Sequence, residues 1–247
     1  MDGDRVLIWY SCGAASAVAA KMAINKYASR LPIYIAYCDT GAEHKDNVRF
    51  LADCAKWYGH KIHVLKSEKY SDIWEVYEKR RYIVGVRGAP CTYEMKMKVR
   101  EQVQRPTDIQ VFGFTSEETN RATRFDANHP DVYAVYPLID KGISKSECYT
   151  IIQKAGITLP KMYRMGYRNN NCVPCCKGQQ GYWNKIRVDF PAEFERMAKL
   201  ERDIGAAINK TYKGGPRTPV YLDELDPDAG RYKDENISCG FDCLTTL

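Results

Sequence analysis

The stretch Ser11-Cys12-Gly13-Ala14-Ala15-Ser16 joins a short apolar run to an alanine-rich segment, and its residue types suit an anion. Small side chains let the backbone approach a phosphate. The unpaired N–H groups of a following helix, and its dipole, favour negative charge there. Ser11 and Ser16 add hydroxyl donors, and Ser16 is placed to cap the helix. An ordinary turn between strand and helix has the same composition, so the loop alone leaves both readings open. Cysteines form a second group. Of the ten, Cys12, Cys38, Cys54 and Cys148 are scattered, whereas Cys91, the run Cys172, Cys175 and Cys176, and the pair Cys239 and Cys243 are clustered. The C-x2-C spacing of Cys172 and Cys175 lets two thiolates reach one metal ion or one cluster. Cys91 opens a predicted helix that carries Lys96, Lys98 and Arg100, a setting that favours thiolate. In a reducing compartment such clustering indicates a [4Fe–4S] cluster, a zinc ion or redox-active thiols rather than disulfides.

These residues need elements to hold them. Residues 5–10 and 32–37 are short apolar runs without alternation, as buried parallel strands are. Residues 61–65, 108–114 and 132–136 are further strands, and residues 16–27, 45–58, 72–81 and 92–104 are predicted helices. This alternation predicts an α/β fold, a doubly wound and mainly parallel Rossmann-like sheet, with ligands beyond the carboxyl ends of its strands. After residue 158 the composition changes to proline, asparagine, glycine and cysteine. We therefore divide the chain into a nucleotide-binding domain, 1–158, and a cysteine-containing C-terminal extension, 159–247, which packs on it. Within the extension, residues 191–207 are a long amphipathic helix, and 214–247 have loop composition.

The Ser11–Ser16 loop resembles the PP-loop of the adenine nucleotide α-hydrolase superfamily, pattern SGGxDS, and within it the PAPS reductase-like family. Ser11, Gly13 and Ser16 match; Cys12 replaces a glycine. Ala15 replaces the acid that helps to hold magnesium in ATP-splitting members, and losing a hard oxygen ligand argues against that chemistry. The sulfonucleotide reductase branch also lacks this acid. Cys38-Asp39-Thr40-Gly41 is similar to the family segment that lies by the nucleotide after the second strand. Residues 113–121 are similar to its G-x-x-x-x-E-x-x-R element. That resemblance implies nucleotide contacts from Ser11 through Ser16, Ala14 and Ala15 included, and from Asp39, Thr40 and Gly41. It also implies an Arg121 that pairs with phosphate or sulfate while Glu118 orients it.

Residues 91–99 resemble the reductase segment that begins with cysteine and continues through a basic stretch, although Thr92 stands where cluster-bearing APS reductases have an adjacent cysteine. Residues 167–183 and 222–225 resemble a subfamily common in bacteria and their phages whose members end in a Cys-Gly-x-x-Cys-like element. The resemblance implies PAPS, APS or ATP as ligand and Cys239 as the nucleophile on activated sulfur. The clustered thiols are expected to hold a [4Fe–4S] cluster on Cys91, Cys172, Cys175 and one or both of Cys239 and Cys243, with zinc as the alternative. Cys176 is then a spare or catalytic thiol.

The alternatives are an ATP-dependent nucleic-acid modifier, with Asp39 as a magnesium ligand, and a non-catalytic nucleotide sensor. A net charge of +6, from 37 basic and 31 acidic residues, suits a polyanionic ligand but demands no nucleic-acid groove. Aromatics interleaved with basic residues between Tyr163 and Trp183 are a composition that also stacks bases. Nucleic acid, a thiol reductant and a second copy of the chain therefore stay open as partners. No apolar run approaches the ~18 residues of a membrane span, and the acidic start lacks the features of a signal peptide, so the expected location is the cytoplasm.

Overall fold

The structure is a computed structural model that describes residues 3–86, 88–211, 218–235, 237 and 239. In chain order its main elements are β1 (Arg5–Trp9), α1 (Ala14–Tyr27), β2 (Ile33–Cys38), α2 (Asn47–Tyr58), β3 (Ile62–Leu65), α3 (Ile73–Arg80), β4 (Asp108–Val111), α4 (Thr119–Asn128), β5 (Tyr133–Val135), α5 (Lys145–Lys154), α6 (Gln180–Asp189), α7 (Pro191–Ile204), β6 (Asn209–Thr211) and β7 (Thr218–Val220). Short helical turns, given below by their ranges, lie between them. The chain divides into two compact units.

The first unit comprises Met1–Asp39, His44–Lys66 and Lys98–Asn170. Its sheet has the order β3-β2-β1-β4-β5, with every neighbouring pair parallel. This is the α/β, Rossmann-like sheet that the sequence predicts. All five residues of β1 are buried, which explains an apolar run without alternation. A buried bidentate pair, Arg5 to Asp108 at 2.8 and 2.6 Å, fixes the register of β1 against β4. The small residues of α1 lie against the sheet, and α5 packs against α1. The apolar core formed by α1, α2, α5 and the sheet lies wholly in this unit.

The second unit comprises Thr40–Glu43, Ser67–Met97 and Asn171–Leu247. It contains α3, α6, α7 and the antiparallel pair β6–β7. Trp183 and Ile186 of α6 are fully buried, and Trp183 packs on Phe194 of α7 at 6.4 Å. A buried carboxylate ties its connections. Glu201 accepts from the backbone N–H of Ile208 at 2.5 Å and of Leu222 at 2.6 Å.

Three differences from the sequence reading have physical causes. The helix predicted over 92–104 is an α-turn, Pro90–Thr92, then a π-turn, Tyr93–Met97, then Lys98–Glu101. Helices α4 and α5 carry few apolar residues, with only two buried in each, so periodicity misses them. Their signal is the capping box, Thr115 with Glu118 and Ser144 with Glu147. The tail, read as loop, contains β7 and the 3-10 turns Leu222–Glu224 and Tyr232–Asp234. Among the described residues no helix is long and apolar enough to cross a membrane.

Candidate functional site: a phosphate loop and a thiol cavity

In the first unit the strand order reverses between β1 and β4, and in such sheets the crevice at that reversal takes the ligand. The Ser11–Ser16 loop follows β1. Cys12, in the place of a family glycine, holds the left-handed conformation at φ +59. A side chain there costs roughly 1–2 kcal/mol relative to glycine. Asn170 holds the turn: its Nδ2 donates to the Cys12 carbonyl at 2.8 Å and to Asn47 Oδ1 at 2.8 Å. The N-cap of α1 is Gly13, without a side-chain cap. Ser16 therefore does not cap the helix. It stands in the first turn, and its hydroxyl accepts from the Ser11 N–H at 3.1 Å and the Ser11 hydroxyl at 3.0 Å while donating to the Gly13 carbonyl at 3.0 Å.

The loop after β4 closes on the same turn. A Cβ on Gly113 would lie 2.5 Å from Ser16 Cα and 2.7 Å from Ser16 N, so only glycine fits. Beyond it, Glu118 accepts from the Thr115 N–H at 3.1 Å and from Arg121 Nη1 at 2.7 Å, and the Arg121 guanidinium lies over the Phe114 ring at 4.3 Å. A guanidinium seated in this way has little rotational freedom left, which suits recognition of a planar oxyanion face. Asp39, at the carboxyl end of β2, is ion-paired with Lys66 at 3.3 Å.

The second unit brings the clustered cysteines together. Cys91, Cys172, Cys175, Cys176 and Cys239 line one cavity, with about 320 Å³ of space that includes open solvent. Tyr77, Lys96, Lys177 and Thr40 line it too. Thr40, read from sequence as a nucleotide contact, hydrogen-bonds the Cys172 thiol at 3.0 Å. Gly41 takes φ +69, and a Cβ there would lie 2.7 Å from Asp72 Cβ, so the Thr-Gly turn closes on the start of α3. Cys243 and Gly240 lie outside the described residues.

The thiols differ in charge state. The Cys91 thiol is held down at about 6 by the hydrogen bond from Cys176, against the opposing effect of burial; the Tyr77 hydroxyl at 3.2 Å, Lys96 and Lys177 add to the lowering. Cys176 is pushed well up by that same bond to Cys91 and by burial. Burial raises Cys175 to about 12, and it raises Cys172 with help from the Glu43 carboxylate. Cys239 accepts from Lys96 Nζ at 3.4 Å. Among the described residues, no three His, Cys, Asp or Glu side chains converge on a single metal-ion position.

A family profile described as the phosphoadenosine phosphosulfate reductase domain matches residues 5–178. The chain belongs to that family. An uncharacterized protein of Methanocaldococcus jannaschii is 24% identical over 215 residues, 83% of this chain. The chain spans 43% of that relative's length. Among solved structures, the U34-tRNA thiolase NcsA from Methanococcus maripaludis with its [4Fe-4S] cluster is similar at 14% identity and a TM-score of 0.48, over 83% of this chain and 74% of that one.

In this reductase-domain protein several site residues escape sequence reasoning. Tyr163 accepts from the Ala14 N–H at 3.2 Å, filling one donor of the phosphate loop. Lys145 is a half-buried cation near Glu118 and Arg168, and its Nζ donates to Asn169. Tyr77 enters the thiol cavity from a segment without a motif, and Lys177 enters it from the residue after the Cys172–Cys176 run. The aromatics interleaved with basic residues are packed inside: Tyr167, Tyr182 and Trp183 are buried. Composition alone does not separate these from an exposed stacking surface.

Proposed function

We propose that the chain is a sulfur-transfer enzyme that acts on an adenine nucleotide and carries a [4Fe–4S] cluster. The single observation that carries this is the cavity lined by five cysteines and two lysines in a member of the reductase-domain family. The nucleotide phosphates lie on the Ser11–Ser16 loop, and Arg121, oriented by Glu118, pairs with phosphate or sulfate. Lysines among the thiols favour thiolates and anionic sulfur species.

The donor set suits a cluster. Soft thiolates take both zinc and iron–sulfur centres. Zinc takes four ligands about 2.3 Å from one point, whereas a cluster takes thiolates at several iron positions, which suits five cysteines arranged around one cavity. Cys91, Cys172 and Cys175 would hold the group in this reading, with Cys239 or Cys243 as a further ligand. Once bound, it would supply electrons or polarising charge to sulfur chemistry. The chain's own chemistry lies in Cys239. Its thiolate, beside Lys96, attacks the sulfur of the sulfonucleotide. The new S–S bond forms as the S–O bond breaks, and the nucleotide leaves with the oxygen. A thiol reductant then attacks the Cys239 sulfur and sulfite departs.

Magnesium-dependent ATP splitting finds less support, because Ala15 offers no carboxylate and Asp39 is paired with Lys66. The deciding experiment uses protein purified without oxygen. Iron, sulfide and a visible spectrum are measured, then thermal shifts with ATP, APS and PAPS, and sulfite release with a dithiol. Bound iron and sulfide, a shift with a sulfonucleotide and released sulfite are expected. Stoichiometric zinc in a colourless protein sinks the cluster, and pyrophosphate release from ATP that requires RNA or DNA sinks the reductase reading.

A further inference from the structure

The tail that carries Cys239 is fastened to the first turn of α6. The Glu235 carboxylate accepts from the Gln179 N–H at 2.9 Å and from the Tyr182 N–H at 3.0 Å, and the Gly181 N–H adds to this. It therefore occupies the positive end of the helix, where unpaired N–H groups and the dipole favour a carboxylate. The approach is close enough to need two glycines. A Cβ on Gly181 would lie 2.4 Å from Tyr232 N and 2.8 Å from Glu235 Oε1, and one on Gly230, at φ +75, would lie 2.4 Å from Gly181 N. The Tyr232 ring packs by Tyr182 at 6.1 Å.

The same helical turn holds the opposite wall of the cavity. The Tyr182 hydroxyl reaches the Val173 carbonyl at 2.6 Å and the Cys172 carbonyl at 3.1 Å. Asn171 Nδ2 donates to the Ile237 carbonyl at 3.3 Å, tying the residue before the knuckle to the tail. Cys239 follows, against Lys96. Knuckle and tail thus hang from one turn of one helix, by a tyrosine side chain on one side and a tail carboxylate on the other.

We propose that Glu235 is a positioning residue: its carboxylate, seated on the N-terminus of α6, presents Cys239 to the cavity that holds Cys91, Cys172 and Cys175. The use of Cys239 in a cluster and in sulfur transfer rests on the function proposed above; its placement by Glu235 does not. Released from the helix, the tail loses the carboxylate anchor that precedes Cys239, and the Cys239 thiol becomes more accessible to solvent.

The test is the rate at which N-ethylmaleimide labels each cysteine of the reduced, metal-free full chain, read by peptide mass spectrometry. Glu235→Ala is expected to raise the Cys239 rate about tenfold, the factor that the loss of a charge-assisted hydrogen bond implies for a local opening. Glu235→Gln, which keeps one acceptor, is expected to fall between Glu235→Ala and wild type. Gly181→Ala leaves the carboxylate but wedges the tail away, and is expected to match Glu235→Ala; it also serves if Glu235→Ala does not fold. Cys12, Cys54 and Cys148, all fully buried in the first unit, stay unlabelled and report an intact fold. Cys239 rates within about twofold of wild type in both Glu235→Ala and Gly181→Ala overturn the proposal. Iron content is measured on the same proteins after reconstitution. A wild-type chain that takes up no iron defeats the cluster reading while the labelling still decides the role of Glu235.

Discussion

The two units solve the problem of holding reactive groups in opposite ways. The phosphate loop is contiguous in sequence and sits on a sheet whose core is apolar. Its shape comes from backbone: a left-handed Cys12, a Gly13 cap and a Gly113 that admits the first turn of α1. The thiol cavity collects Thr40, Cys91, Cys172 and Cys239 from distant segments. Carboxylates that grip backbone N–H groups recur in its unit: Glu43 on Thr40 and Ala42, Glu201 on Ile208 and Leu222, Glu235 on Gln179 and Tyr182. An apolar core and a tight turn punish changes of volume above all. A unit pinned by carboxylates is sensitive to the loss of a single charge as well.

The largest expected effect separates the two sites outright. Cys172→Ser or Cys175→Ser is expected to remove nearly all reconstituted iron while the thermal shift with adenine nucleotide stays at the wild-type value. Loss of both together would mean that the sites are not independent. Next comes volume in the first unit. Gly113→Ala, with its Cβ 2.5 Å from backbone, is expected to cost about 3 kcal/mol in urea unfolding and to abolish the nucleotide shift. A comparable loss is expected in the second unit from Glu201→Ala, which leaves two N–H groups unsatisfied at about 1–3 kcal/mol each.

The pH dependences are opposite in sign. Burial pushes the Glu201 carboxyl up to about 7 from 4.5. Its contribution is complete below 4.5 and is lost as pH rises through 7, about 2 kcal/mol after allowance for relaxation. Asp46, in the first unit, is held down at about 2 from 3.8 by Arg49. Its contribution is present above 3.8 and is lost as pH falls through 2; as a partly exposed group it is worth about 1 kcal/mol. Hydrogen exchange at Ile208 and Leu222, corrected for intrinsic rates, should therefore quicken between pH 5 and 8 while the amides of α2 do not. The smallest effect expected is from Cys12→Gly. It relieves the left-handed strain but loses a buried thiol, and the net change is within about 1 kcal/mol.

Legibility in the sequence follows the same division. The strands of the first unit are apolar runs, and their order along the chain predicts a parallel sheet, which the structure has. The loop was legible because its residues are neighbours. What escaped was the hydrogen bonding within it: Ser16 closes the turn instead of capping α1, since a residue in the first turn points its hydroxyl back toward the preceding loop. The cysteines declared a shared chemistry by type and cluster. Tyr77 and Glu235 did not, because neither belongs to a motif and both gain their meaning only through contacts between segments. The domain limits read from composition follow a change at residue 158, whereas the compact units interleave, with Ser67–Met97 leaving one unit for the other and Lys98 returning.

That excursion has a kinetic consequence. β1 lies at the centre of the sheet, yet its neighbour on one side is β2 and on the other β4, which begins at Asp108. As the chain leaves the ribosome, β1, β2 and β3 can pair early while one edge of β1 stays bare until Asp108 has emerged. An uncovered apolar strand edge is a template for the wrong partner. A nascent chain stalled before Asp108 thus keeps that edge open to wrong pairing, and slow translation through the Ser67–Met97 segment would prolong the exposure.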